Sequence, residues 1–201
     1  MRRLLRVLWL PLIFAVSAAI GFSRANQTSS VVAADVGAET ADERLLIYIG
    51  SSTCDFSNTD EIVDVVDAIR ARASTSAAEV GRRFVRVGIA KDHVVSAGLN
   101  HLAKFGDFDE VMTGRNWANI GLLKYVYEGL RGIAATPQVL LVDRRLINDE
   151  TGTRVDSEQV LVRASGLVEM RELASGAKSI PLGNSVARSA DAPAAPSRGQ
   201  Q

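Results

Sequence analysis

The sequence predicts an α/β domain built on a mixed sheet of about four strands with helices on both faces. Short apolar runs alternate with stretches of helical periodicity in the first part of the chain, which favours parallel strand pairing. Two later apolar runs flank a turn centred on Gly152, which favours an antiparallel hairpin. The length of 201 residues suits one such domain with appendages.

The first half of the predicted domain contains two strands and a long helix. Residues 44–49 and 83–90 are apolar runs of strand length. Between them, Asn58 and Glu61 match the two ends of a capping box, which predicts a helix over 58–72. Its apolar stripe is formed by Ile62, Val65, Val66 and Ile69.

The middle of the domain contains two further predicted helices. Asp92 is placed to cap the first of them, and an acidic, irregular segment over 106–115 follows. Residues 116–130 form the clearest later helix, because apolar side chains recur on one face. The apolar stripes are Val95, Leu99, Leu102 and Phe105 in the first helix, and Trp117, Ile120, Leu123, Tyr127 and Leu130 in the second.

A hairpin and a final helix complete the predicted domain. Residues 138–142 are a continuous apolar strand, and 159–164 form its partner across a turn over 148–153. A helix over 167–174 follows and stops at Gly176. The expected order is therefore strand, helix, strand, two helices, strand, strand and helix.

Composition and charge exclude several function classes. The chain has 23 basic and 23 acidic residues, so its net charge of zero predicts no electrostatic interface with nucleic acid. A single cysteine excludes a disulfide framework and a cysteine-cluster zinc site. The two histidines, His93 and His101, lie too far apart for a helical metal pair. The sequence therefore predicts neither a metal site nor a cofactor.

The N-terminal segment is predicted to be a targeting sequence. Arginines within the first six residues precede an apolar stretch, 4–22, which is broken only by Pro11. Residues 23–25 offer small side chains to a signal peptidase, yet the stretch also approaches the ~20 residues that span a bilayer. Residues 1–25 are therefore either a cleaved signal peptide or a membrane anchor. Both interpretations place the domain in the periplasm or another extracytoplasmic space.

Two segments that flank the predicted domain lack any periodicity. Residues 26–41 are rich in Ser, Thr, Ala and acidic side chains, which is typical of a flexible linker. Residues 183–201 are rich in Ala, Pro and Ser, which predicts a disordered tail. The folded domain is expected over 42–182.

The single cysteine follows the first predicted strand and begins a C-x-x-S motif. Cys54 and Ser57 enclose Asp55 and Phe56. A thiol between a strand and a helix can act as a nucleophile, and Ser57 can donate a hydrogen bond to its thiolate. Asp55 opposes ionisation because it is a neighbouring negative charge. Ser57 cannot resolve a mixed disulfide, so disulfide exchange at Cys54 requires a thiol from another molecule.

The segment 135–143, Ala-Thr-Pro-Gln-Val-Leu-Leu-Val-Asp, is similar to the T-P-x-x-x-L-[IV]-D segment of thioredoxin-like proteins. With the strand and Cys54 before it and the hairpin after it, the chain over 44–174 resembles that family, especially its exported, membrane-tethered members. The resemblance implies a three-layer thioredoxin-like sandwich in which a cis Pro137 faces Cys54. It also implies that Thr136 and Pro137 contact an extended peptide substrate.

The chain departs from the thioredoxin-like pattern in two places. Ser57 replaces the resolving cysteine of C-x-x-C. The segment before the cis-proline, 92–133, is also long, and we expect it to be a helical insertion that shapes a surface for a partner. The candidate catalytic residues are therefore Cys54 and Ser57, and the candidate substrate-binding residues are Thr136 and Pro137.

The sequence leaves two main functions open. The first is an exported thioredoxin-like protein that exchanges thiols and disulfides through Cys54 alone, as a monothiol or isomerase-like enzyme acting on protein or small-molecule thiols. The second is a redox-inactive thioredoxin-like module that binds or scaffolds a partner. A peroxiredoxin-like peroxidase is disfavoured because only Ser51 matches the residues expected upstream of its cysteine, and a copper-delivery protein needs a second cysteine. An unpaired exported cysteine can also link two copies of the chain.

Overall fold

The structure is a computed structural model that describes residues 39–128 and 133–183. They form an α/β sandwich around a mixed sheet. The predicted signal peptide or anchor, 1–25, and the predicted tail beyond residue 183 lie outside the described residues, as does the linker up to residue 38. Of the helices that are described, none has the length and apolar character needed to cross a membrane.

The described domain consists of strands, α-helices and short helical turns. The strands are β1 (Glu39–Gly50), β2 (Arg83–Ala90), β3 (Glu110–Thr113), β4 (Gln138–Asp149) and β5 (Gly152–Ser165). The α-helices are α1 (Ile62–Glu79), α2 (Val95–Leu102), α3 (Ile120–Leu122) and α4 (Gly166–Ser175). The 3-10 turns are Asp55–Asn58, Ala103–Phe105 and Asn116–Ala118, and a π-helical turn, Leu123–Tyr127, continues α3.

The sheet has the strand order β3-β2-β1-β4-β5. The pairs β1–β2 and β2–β3 are parallel, whereas β1–β4 and β4–β5 are antiparallel, which confirms the predicted mixed sheet. The predicted number of about four strands is wrong, since the sheet has five. The additional strand, β3, lies in the segment expected to be irregular. Its four residues are too short to show a strand period, and Val111 points its apolar side chain towards solvent.

The two faces of the sheet carry separate apolar cores, because side chains alternate along each strand. On one face, Leu46 and Tyr48 of β1 pack with buried residues of α1 and α4. On the other face, Leu45 and Ile47 pack against the α3 region. The residues that α1 and α4 bury in the first core are Ile62, Val66, Ile69, Ala73, Met170 and Leu173. Each large aliphatic side chain buried there stabilises the fold by ~1.5–3 kcal/mol.

The helix predicted over 116–130 is broken into several short turns. Arg115 and Asn116 have φ angles of 61° and 54°, which is left-handed backbone that no continuous helix can include. Asn119 then starts α3 by accepting a hydrogen bond from the Gly121 amide at 2.8 Å. Residues 129 and 130 of the prediction lie outside the described residues. Apolar side chains recur at helical spacing on both sides of these interruptions. Periodicity alone therefore predicted one continuous helix.

A buried ion pair joins β1 to β4 at the end of the sheet away from Cys54. Arg44 is fully buried, and it donates to the two carboxylate oxygens of Asp143 at 2.8 and 3.0 Å. The same guanidinium group donates to the carbonyl oxygens of Ser76 and Leu182 at 3.1 and 2.9 Å. One side chain therefore connects two strands, α1 and the segment that follows α4.

Candidate thiol site

Cys54 lies in a loop between β1 and the first 3-10 turn, not at the start of the long helix. Its backbone is extended, with φ −102° and ψ 117°, and its carbonyl accepts a hydrogen bond from the Ser57 amide at 2.9 Å. The α1 helix begins only at Ile62. Because the helix dipole acts mainly within the first turn, α1 contributes little to the ionisation of Cys54.

Asn58 stabilises the loop that contains Cys54, which we call the cysteine loop. Its side-chain amide donates to the carbonyl oxygens of Ser51, Ser52 and Cys54 at 3.1, 3.2 and 2.7 Å. Its own oxygen accepts a hydrogen bond from Lys104 at 2.8 Å. The predicted capping box is therefore wrong, because Asn58 binds backward into the loop instead of capping α1.

Two acidic residues expected to cap helices have other partners. Glu61 forms an ion pair with Arg171 of α4. Asp92 is buried, and it accepts hydrogen bonds from the amide and the hydroxyl of Ser52. Asp92 therefore attaches the cysteine loop to the end of β2 and does not cap α2. Both residues match helix-cap positions in the sequence. In the folded chain, however, their carboxylates bind Arg171 and Ser52 instead of the amides at the start of a helix.

The structure brings the cysteine loop against the Thr136-Pro137 segment. The Cys54 sulfur lies 3.2 Å from the Thr136 carbonyl oxygen, although the two residues are 82 positions apart. The peptide bond between Thr136 and Pro137 is cis. The Pro137 carbonyl accepts from the Gly166 amide at 2.8 Å, and Gln138 donates to the Ile133 carbonyl at 2.7 Å. These bonds fix the segment on both sides of the proline.

Ser57, the last residue of the C-x-x-S motif, is fully buried. Its hydroxyl oxygen has no hydrogen-bond partner among the described residues, although the Ser57 side chain favours the Cys54 thiolate by hydrogen bonding to it. A buried hydroxyl without a partner is costly, by ~1–3 kcal/mol. The hydroxyl is thus available to donate to any acceptor that forms at the Cys54 sulfur.

Opposing influences act on the pKa of the Cys54 thiol. Partial burial raises the pKa, because it disfavours the charged thiolate. The side chains of Thr136 and Ser57, and the backbone amides of Ser57 and Phe56, favour the thiolate by hydrogen bonding to it, so that the net pKa is below that of an ordinary thiol. The S–H bond to the Thr136 carbonyl works the other way, since only the neutral thiol can make it. Asp55 is exposed, so solvent and salt screen its charge.

A buried aromatic cluster lies behind the cysteine loop. The Tyr48 hydroxyl and His101 Nε2 are 3.3 Å apart, and the Tyr48 ring centroid lies 4.3 Å from that of Phe105. Burial, assisted by the Lys104 cation, lowers the pKa of His101 to about 4, so this imidazole is neutral at pH 7. A side chain at Gly50 would collide with both the Tyr48 hydroxyl and His101 Nε2, so the end of β1 requires a glycine.

The sequence patterns predicted neither His101 nor Tyr48 as part of the site. The α2 period nevertheless contains a signal for His101. His101 lies three residues after Gly98 and four before Phe105, and both of those residues are buried. The helical period thus directs His101 towards the core.

No family model, curated protein or solved structure matches this chain. A function therefore has to be inferred from the geometry of the site itself. The described residues contain no group of three His, Cys, Asp or Glu side chains that could hold a metal ion. Cys54 is a free thiol of intermediate exposure.

The surroundings of Cys54 are open and partly apolar. Phe56, inside the C-x-x-S motif, is 64% exposed, and Ile133, just before the cis-proline segment, is 66% exposed. A cavity of about 190 Å³ lies beside the loop, between Thr53 and the side chains of Lys91 and Asn116. A partner can therefore approach the sulfur over an apolar surface, and the site can support nucleophilic chemistry by a single thiolate.

Proposed function

We propose that this chain is a thioredoxin-like protein that exchanges thiols and disulfides through Cys54 alone. The observation that carries the proposal is the 3.2 Å approach of the Cys54 sulfur to the Thr136 carbonyl, beside the cis Pro137. The parallel β1–β2 pair and the antiparallel β4–β5 hairpin support it, because the resemblance of the sequence to thioredoxin-like proteins depends on this order.

The exchange consists of two substitutions at sulfur. The Cys54 thiolate attacks one sulfur of a substrate disulfide, forms a mixed disulfide with it and releases the other half as a thiolate, which takes up a proton. Ser57 has no sulfur and cannot release the bound half. The thiolate of a second, external thiol therefore attacks the mixed disulfide, forms a new disulfide with the bound half and regenerates the Cys54 thiolate. No net oxidant or reductant is consumed.

The partners are protein or small-molecule thiols and disulfides. In this proposal Thr136 and Pro137 contact an extended peptide at the sulfur, and exposed Phe56 and Ile133 offer it apolar contacts. An extracytoplasmic location, with a signal peptide or a membrane anchor at 1–25, suits this chemistry, because disulfides persist in oxidising compartments.

The test is the reactivity of Cys54 in the full-length chain. We expect its rate of alkylation to rise with a midpoint below the ~8.5 of a free cysteine. We also expect one equivalent of an aromatic disulfide to give a mixed disulfide that persists until an external thiol is added. Cys54→Ser is the control for both measurements. A thiol that reacts only after denaturation would rule out exchange by this protein.

The second candidate is a redox-inactive binding module with the same fold. The hydrogen bond from the Cys54 thiol to the Thr136 carbonyl favours it, because that bond gives the sulfur a structural role. Such a module would keep its partner when Cys54 is replaced by serine, whereas an exchange enzyme would lose the covalent complex. Trapping partners with the wild-type and Cys54→Ser chains under non-reducing conditions separates the two, and also reveals a disulfide-linked dimer.

A further inference from the structure

The buried hydroxyl of Ser57 acts on two ionisable groups, the Cys54 thiol and the Tyr48 hydroxyl. Ser57 Oγ has no hydrogen-bond partner in the thiol form, but the Ser57 side chain favours the ionised forms of both groups by hydrogen bonding to them. Ser57 and Tyr48 are both completely buried. Water therefore does not satisfy either hydroxyl, and a proton on one of them must point towards another protein group.

Tyr48 also has His101 as a polar neighbour. His101 Nε2 is 3.3 Å from the Tyr48 hydroxyl, while His101 Nδ1 is buried without a partner. A Phe at position 48 would fill the same volume and pack on Phe105 without burying a hydroxyl. Ser57 Oγ and His101 Nδ1 have no partner in the thiol form, so the cost of burying them is not offset there. This suggests that these side chains act when Cys54 is ionised.

We propose that His101, Tyr48 and Ser57 form a directed chain of hydrogen bonds that ends at the Cys54 thiolate. His101 Nε2–H donates to the Tyr48 oxygen, the Tyr48 hydroxyl donates to Ser57, and the Ser57 hydroxyl donates to the thiolate sulfur. Ionisation removes the S–H bond to Thr136 and makes the sulfur an acceptor, which completes the chain. Tyr48 and His101 are thus positioning residues, and the inference rests on Cys54 acting as a thiolate.

Other titratable groups face this chain from the surrounding elements. Asp92, at the end of β2, acts electrostatically on His101, and so does Lys104, from the 3-10 turn after α2. Asp55 is exposed in the motif. Neither Asp92 nor Lys104 can replace the chain, since their hydrogen bonds go to Ser52 and Asn58.

The first experiment follows the imidazole of His101 by NMR in the full-length wild-type chain. Because this imidazole stays neutral above pH 6, a change in its ring nitrogen shifts between pH 6 and 10 reports on its neighbours. We expect a change with the same midpoint as Cys54 alkylation, and we expect it to vanish when Cys54 is blocked with iodoacetamide. His93 is exposed and bonded to Asn116, so its resonances serve as the internal reference.

The second experiment measures the Cys54 pKa in variants. Tyr48→Phe and Ser57→Ala should each raise it by about half to one pH unit, the value of one hydrogen bond. The double variant should show no further rise, because Tyr48 acts through Ser57. Tyr125→Phe is the matched control: it removes another buried hydroxyl, on the opposite face of the sheet, and should leave the pKa unchanged.

The outcomes distinguish this inference from the proposed function. A low Cys54 pKa with His101 shifts that do not follow it overturns the chain and leaves thiol exchange intact. Additive effects of Tyr48→Phe and Ser57→Ala overturn it too, since Tyr48 would then act independently of Ser57. A Cys54 pKa that is not lowered in the wild type counts against exchange itself. If Tyr48→Phe fails to fold, the NMR titration of the wild type decides.

Discussion

Replacing Ser57 by cysteine should convert the single-thiol site into one that resolves its own mixed disulfide. The hydrogen bond of 2.9 Å from the Ser57 amide to the Cys54 carbonyl closes a turn between these residues. Such a turn keeps the first and last Cα atoms within ~7 Å, and disulfides form at Cα separations of ~4.4–6.8 Å. The Ser57 side chain also favours the Cys54 thiolate by hydrogen bonding to it. A sulfur at position 57 is therefore placed to attack a disulfide at Cys54.

The same substitution should change stability little. Closing a loop of about four residues by a disulfide stabilises the folded state by ~2 kcal/mol in the chain-entropy treatment. Sulfur is larger than the hydroxyl oxygen, and overfilling a fully buried site costs ~1–3 kcal/mol. The two effects are of similar size and opposite sign, so the oxidised variant should unfold within a few degrees of the wild type.

The assay is the reaction of each protein with an excess of an aromatic disulfide, followed through the coloured thiolate that it releases. The wild type should release one equivalent and remain as a mixed disulfide. S57C should release two equivalents and end with an internal disulfide, which mass spectrometry detects as a loss of two hydrogens without an adduct. Cys54→Ser should release none. A stable adduct on Cys54 in S57C would show that position 57 does not face the sulfur, which would refute the proposed site geometry.

Two further predictions concern the stability of the fold. Asp143→Ala should lower the free energy of unfolding by ~3–5 kcal/mol in a denaturant titration, because it leaves the fully buried Arg44 unpaired; Asp67→Ala, which breaks an exposed pair on α1, should change it by less than ~1 kcal/mol, and equal losses would contradict the argument. The pKa of His101 is lowered from 6.5 to about 4 in the folded state, so the unfolded chain binds more protons between these values and stability should fall as pH falls through this window, by up to ~3 kcal/mol. His101→Gln should lose that pH dependence relative to the wild type, whereas His93→Gln should retain it.

Much of the sheet could be predicted from the sequence because its signals are local. The apolar runs of β1 and β4 are unbroken, the run of β2 is interrupted only by Arg86, and the turn centred on Gly152 joins β4 to β5 as expected. The extent of these strands was underestimated. β4 and β5 continue to Asp149 and Gly152 as a polar hairpin whose residues bury little apolar surface, so hydrophobic pattern does not reveal them.

The parts that could not be predicted depend on long-range partners. Asn58 matches a capping residue in sequence, but the Ser51, Ser52 and Cys54 carbonyls converge on it in the folded loop. The strand β3 exists because β2 offers it a free edge, and nothing in its own four residues requires it. Likewise, the contact between Tyr48 and His101 joins residues 53 positions apart.

The placement of Cys54 outside α1 has a consequence for how its reactivity responds to its environment. A thiol that depends on a helix dipole weakens as salt screens that dipole, but it keeps its reactivity as long as the helix exists. The thiol of this chain depends on hydrogen bonds from its own loop, whose shape is set by Asn58 and, through it, by Lys104. Its nucleophilicity should therefore be insensitive to ionic strength and sensitive to any partner that draws Lys104 away.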